Sequence, residues 1–84
     1  MTVQQNPPTG DPARQLNARG LKCPMPIVRT AQAMRELAAG QLLEVVATDP
    51  GSAADFAAWS RTTGHELLSS VSEGPEFRFL LRHR

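Results

Sequence analysis

The sequence predicts an α+β fold: a two-layer α/β sandwich of order β-α-β-α-β-β, with two helices packed on one face of a four-stranded mixed sheet. Three observations predict it. The chain has 84 residues and 40% hydrophobic content, enough for one small domain with a thin core. Two segments carry apolar residues at helical spacing, each following a short strand-like run. Two more strand-like runs close the chain around Gly74 and Pro75. One layer of helix on one layer of sheet buries the apolar face of both, and the β-α-β units are expected to be right-handed.

Residues 1–13 hold Pro7, Pro8, Gly10 and Pro12 among polar neighbours. They bury too little to order themselves and are expected to form a flexible N-terminal tail, ahead of a domain spanning 14–84. From Arg14 the run Gln15-Leu16-Asn17-Ala18 alternates polar and apolar, as a half-buried strand does. Gly20 breaks it. From Pro24 to about Ala39, Ile27, Val28, Ala31, Met34, Leu37 and Ala38 recur at helical spacing, and Gly40 is a stop signal. Gln41 to Thr48 contains Leu42-Leu43-Glu44-Val45-Val46, of strand length and β-branched. After the Asp49-Pro50-Gly51 break, Ser52 and Asp55 resemble a capping box. A second helix from about Ala53 to Thr63 then places Ala53, Phe56 and Trp59 on one face and ends at Gly64. Glu66 to Val71 and Phe77 to Arg82 read as a closing hairpin across Glu73-Gly74-Pro75-Glu76. In its last strand Phe77, Phe79 and Leu81 point one way and Arg78, Leu80 and Arg82 the other.

Composition narrows the function. Nine basic side chains against eight acidic ones leave a net charge of +1, which exerts no global pull on nucleic acid or membrane. Aromatic residues are too few for a base-stacking face. No run approaches the ~18–20 apolar residues of a membrane span, and the first residues show no secretory pattern. A single cysteine excludes an internal disulfide framework and a cysteine-rich zinc site. Free thiols persist most easily in reducing cytosol, so a cytoplasmic protein without cofactor or metal is expected.

That cysteine is the candidate catalytic residue. It lies in Gly20-Leu21-Lys22-Cys23-Pro24-Met25-Pro26. A residue before proline is pushed out of the α region, which suits Cys23 as a helix N-cap, and Pro24 suits the first helical position. The positive end of the helix dipole and nearby Lys22, Arg19 and Arg29 are expected to favour a thiolate. Pro26 removes another N–H, leaving those of Met25 and Ile27 as early donors to a sulfur anion. The plainer alternative is that Cys23 is a buried filler.

From Leu16 to Pro26 the chain resembles the TusA (SirA-like) family of sulfur-carrier proteins, whose domain opens with a strand, then Gly-Leu-(Arg/Lys)-Cys-Pro-x-Pro, then a helix. The likeness continues through Gly40, the strand Leu42 to Thr48, Asp49-Pro50, Gly64-His65-Glu66 and the closing hairpin, and covers about residues 15–83. It implies a sulfurtransferase that holds sulfane sulfur as a persulfide on Cys23. The sulfur comes from a cysteine desulfurase or rhodanese-type donor and passes to an acceptor protein. Lys22, Pro24, Met25, Pro26, Arg29 and Asp49 become supporting or partner-contact residues. Free monomer is expected, with no direct contact to nucleic acid or membrane. Family members serving tRNA thiolation carry an acidic residue between the two prolines; Met25 stands there instead. Sulfur oxidation, molybdenum-cofactor supply and selenium metabolism are other family roles.

Asp49 has two readings, a partner contact or a helix cap. His65 and His83 have no further ligand at usable spacing and read as ordinary surface positions. Arg78, Arg82, His83 and Arg84 make a basic end, either a solvated strand face or a dock for an acidic partner. A regulatory or adaptor domain with a structural or redox-sensing Cys23 is the alternative to sulfur carriage.

Overall fold

The sheet is built outward from β2 (Leu42–Ala47), whose Leu-Leu-Glu-Val-Val-Ala run is buried at every position except half-buried Glu44. In the computed structural model, which describes residues 12–84, β1 (Arg14–Ala18) lies parallel to β2, with Leu16 opposite Val45. On the other side β4 (Glu76–Arg82) runs antiparallel, with Phe79 opposite Val45, and β3 (Glu66–Glu73) pairs antiparallel at the far edge. The strand order is β1-β2-β4-β3. The two helices α1 (Met25–Met34) and α2 (Ser52–Thr63) complete the predicted β-α-β-α-β-β order. The expected tail over 1–13 lies outside the described residues except for Pro12 and Ala13, and Ala13 already donates its N–H to Leu42 O at 2.8 Å.

Alternation along the strands decides which side chains meet the helices. Leu43, Val45 and Ala47 of β2 and Phe79 and Leu81 of β4 point inward, onto Ala33 and Met34 of α1 and Phe56 of α2. The Phe56 and Phe79 rings sit 4.4 Å apart, tilted 31°. This is the inward face of β4 expected from its alternation.

Both helices differ in detail from their sequence patterns. α1 stops at Met34, short of Ala39. Glu36 and Leu37 donate to Ala33 O and Met34 O, both at 3.1 Å, tightening the chain into i→i−3 turns that swing it back toward β2. Leu37 still packs against the core from this turn, which is why it fits the helical spacing without being helical. In α2 the N-cap is Gly51 and no side chain caps the helix, so Ser52 and Asp55 form no capping box. Ser52 lies one residue inside the helix, 1% exposed, with its hydroxyl unpartnered. Ala53 is consequently exposed, and the inward face is Ser52 and Phe56, with Trp59 half-buried. Gly64 closes the helix with φ +85° and its N–H on Ser60 O at 2.9 Å.

The hairpin is tighter than expected, because Glu73 pairs with Glu76 and only Gly74-Pro75 turns. Gly74 at φ +60° followed by proline is the II′ pattern that matches strand twist. The outer face of the sheet sets Leu42, Val46 and Leu80 among paired charges. Arg78 bridges Glu44 and Glu73 at 3.3 and 3.2 Å, and Arg82 pairs with Glu66. The arginines of β4 are therefore neutralised across the sheet, and this part of the basic end is a solvated strand face.

Phe79 and Phe56 are both fully buried, so Phe79→Ala should cost about 3–5 kcal/mol. Arg82→Ala, which loses one exposed pair, should cost at most about 1 kcal/mol. Urea midpoints of the two variants test the contrast.

Candidate functional site

Because β1 and β2 are parallel, their carboxyl ends lie side by side, and the loops leaving them meet. The contacts between these loops are specific. Gly20, at φ +79°, donates its N–H to Thr48 Oγ1 at 2.9 Å, and Cys23 donates its N–H to Asp49 Oδ2 at 3.1 Å. A carboxylate on one loop thus pins the backbone of the cysteine on the other. Asp49 also accepts the Ser52 N–H at 3.0 Å through its backbone oxygen. It is a tie between the loops rather than a side-chain cap of α2.

Cys23 is exposed, so it is not a packing residue. It does not occupy the N-cap. That position belongs to Pro24 (φ −96°, ψ 14°), Met25 is the first helical residue and Pro26 the second, and the Cys23–Pro24 peptide bond is cis. The Met25 N–H is already given to Lys22 O at 2.8 Å, and the Val28 N–H to Pro24 O at 3.1 Å. The Met25 N–H expected to face a sulfur anion is thus spent in the turn.

The electrostatics also depart from expectation. The Cys23 thiol is pushed above its ordinary value, first by the nearby Asp55 carboxylate and then by partial desolvation and the charge of Asp49. Two carboxylates converge here: a Cβ placed on Gly51 would stand 3.6 Å from Asp49 Oδ2 and 3.9 Å from Asp55 Oδ2. Arg19 is turned away, its guanidinium holding Glu76 through Nε at 2.6 Å and Nη2 at 3.3 Å. That contact keeps the Glu76 carboxyl below the usual carboxylate range. Lys22 and Arg29 are exposed and make no ion pair among the described residues.

Around the thiol, exposed Pro24 and Met25 continue into Val28, one turn along α1. Met25 and Val28 are each 38% exposed, and at i and i+3 they share a face. Pro26, by contrast, is buried. Sequence pattern assigned Val28 to the core face and Asp55 to a cap. The helical period is too coarse to separate an interfacial valine from a buried one. The placing of Asp55 near Cys23 depends on how the start of α2 docks beside the loop entering α1, which no local pattern records.

His65 and His83 lie at the opposite end of the sheet, where β4 ends and β3 begins. Their rings are 4.6 Å apart, His65 stacks on Trp59 at 5.3 Å, and with Arg84 they line a cavity of about 350 Å³. The cavity is remote from the thiol and contributes nothing to it. Burial, then the nearby charges of His83 and Arg84, hold His65 below its ordinary value.

A β-α-β-α-β-β sandwich with one exposed thiol at the carboxyl ends of its parallel strands defines a class of small single-thiol domains. The chain matches the sulfurtransferase TusA family over residues 14–83, and it belongs to that family. The sulfur carrier protein TusA of Allochromatium vinosum is 46% identical over 69 residues, covering 82% of this chain and 91% of that one. YrkI of Bacillus subtilis is 54% identical over 67 residues, covering 80% of this chain and 89% of YrkI. YrkF of the same organism is equally similar, but the match spans only 36% of that longer protein. A SirA-like protein from Desulfitobacterium hafniense shares the fold, with TM-score 0.72 at 20% identity over 82% of this chain and 95% of that one.

The depressed value of His65 has a consequence for stability. Below about pH 6.5, the ordinary imidazole value, the unfolded chain binds a proton that the folded chain resists. Stability should therefore fall as pH drops from about 6.5 through the folded-state value of His65. Urea midpoints measured from pH 7.5 down to 5.5 should show this slope, and His65→Gln should shrink it.

Proposed function

We propose that the chain is a sulfur carrier that holds sulfane sulfur as a persulfide on Cys23, accepting it from a desulfurase or rhodanese-type donor and passing it to an acceptor protein. The observation that carries this reading is one exposed thiol, the only cysteine of the chain, held at a loop junction by its own backbone N–H. In loading, Cys23 Sγ attacks the outer sulfur of the donor persulfide. The donor S–S bond breaks, its thiolate leaves, and the Cys23 proton is lost to solvent. Unloading repeats the exchange with the acceptor as attacker. A second thiol nearby would attack the persulfide and expel the sulfur as sulfide, so the lack of one serves the relay.

Fixing the Cys23 backbone through Asp49 aims the sulfur outward. Met25, Val28 and Pro24 supply an apolar shoulder on which a partner desolvates the exchange, as the apolar centre of a protein interface does. Lys22 and Arg29, on the same approach, supply rim charges that steer encounter. Pro26, buried under the first turn, holds that shoulder in place. The relay runs in the cytoplasm, with a free monomer and without cofactor or metal. Exposure of the thiol speaks against an adaptor domain with a structural Cys23; a redox-sensing Cys23 would instead form an oxidant-induced dimer that reductant reverses.

Incubation with a desulfurase and cysteine, or a rhodanese and thiosulfate, followed by intact mass, should show one added sulfur atom that reductant removes. Cys23→Ser should gain none. A wild-type chain that stays unmodified under both donors contradicts the reading.

A further inference from the structure

The cavity at the far end of the sheet gathers side chains from both helices and from the segments before β3 and after β4. Met34 of α1, 2% exposed, lies at its base. Half-buried Trp59 and Thr63 of α2 and half-buried His65 and His83 form its walls, and exposed Arg35 and Arg84 complete the lining. Hydrogen bonds fix these walls. His83 donates its backbone N–H to Gln41 O and accepts the Gly40 N–H through its own backbone oxygen, both at 2.9 Å. Thr63 Oγ1 accepts the His65 N–H at 3.3 Å and donates to Trp59 O at 2.9 Å. The His65 ring stacks on Trp59 and meets His83 edge-on, so the three rings make one aromatic wall.

We propose that this cavity binds a small aromatic carboxylate. Its volume of about 350 Å³ falls within the about 300–1,000 Å³ of small-molecule sites. No carboxylate side chain lines it. Arg35 and Arg84 are in no ion pair among the described residues, whereas Arg14, Arg19, Arg78 and Arg82 are each held by a glutamate. Three acceptors around the cavity are already taken. Thr63 O accepts from Arg84 Nη1, His65 Nδ1 accepts the Arg84 N–H at 3.2 Å, and Arg84 O accepts from His83 Nδ1 at 2.8 Å. Donors remain: the Arg35 guanidinium, the rest of that of Arg84, and the His65 proton, which the bond at Nδ1 leaves on Nε2. Spare donors and uncompensated positive charge suit an anion and disfavour a metal cation. An arginine fork takes a carboxylate through two parallel N–H bonds, and the aromatic wall offers a face to a planar ring. A ligand with both parts uses the whole lining. The proposal stands apart from the carrier reading, because the cavity lies at the opposite end of the sheet from Cys23.

Trp59 is the only tryptophan of the chain, so its fluorescence reports occupancy in the full protein. Titration with benzoate should give a saturable change with a midpoint of about 1 mM or below. Acetate, which has the charge without the ring, and benzamide, which has the ring without the charge, should each bind at least about tenfold more weakly. In ¹H–¹⁵N spectra benzoate should move the amides of Trp59, Thr63, His65 and Arg84 and leave those of Gly20, Lys22 and Cys23 in place. Arg35→Gln and Arg84→Gln should each weaken benzoate several-fold and leave benzamide unchanged. Arg61→Gln removes the same charge from an exposed position of α2 outside the lining and should match wild type. Circular dichroism checks the fold of each variant. A response that does not saturate, benzamide or acetate binding as well as benzoate, or shifts that avoid the cavity overturn the proposal. No sulfur donor is involved, so failure of persulfide loading and failure of this site are read separately.

Discussion

The parallel pairing of β1 with β2 is the constraint on which the reactive end depends. Parallel strands need a crossover, and α1 supplies it, so the loop entering α1 and the loop leaving β2 must emerge at the same end of the sheet. That shared end lets Gly20 reach Thr48 and Cys23 reach Asp49. The rest of the fold maintains the pairing. β4 covers the other edge of β2, and Phe79 and Phe56 fill the space between sheet and helices. The charge ladder on the outer face lets that side meet water without exposing a bare apolar sheet.

The same constraint decides the electrostatic character of the site. A helix N-terminus carries only about half a positive charge, and the first-turn N–H of Met25 is already satisfied within the chain. The Asp49 carboxylate holds the Cys23 backbone, and neither Asp49 nor Asp55 is in an ion pair among the described residues. The thiol is raised rather than lowered by hydrogen bonding toward the Asp55 carboxylate first, then by desolvation and by the charges of Asp55 and Asp49. In the proposed carrier role, sulfur exchange starts from a thiol raised above its ordinary value, beside an exposed apolar surface of Met25 and Val28.

Much of the fold is legible in the sequence because the period of hydrophobicity changes cleanly between elements. Val45 and Phe79 fall on the inward face for the reason their alternation suggests, and Gly64 ends α2 with the positive φ expected of a stop. The misses share one cause. Leu37 fits a helical spacing but reaches the core from a turn, and Gly51 takes the cap that Ser52 was expected to hold. Both follow from how short connections must turn to reach the next strand. At the site, Cys23 and Asp49 are legible as residue types at loop junctions. Asp55 is not, because its role arises only when a helix start and a distant loop are docked, and a local capping pattern accounted for it first.

The measurement that bears most directly on this account is an NMR titration of the chain labelled with ¹³C at Cβ of Cys23. The account predicts a single transition with a midpoint above that of cysteine in a short unstructured peptide. A midpoint below the peptide value would mean that the helix end and its neighbouring cations outweigh Asp49 and Asp55, and would contradict the account.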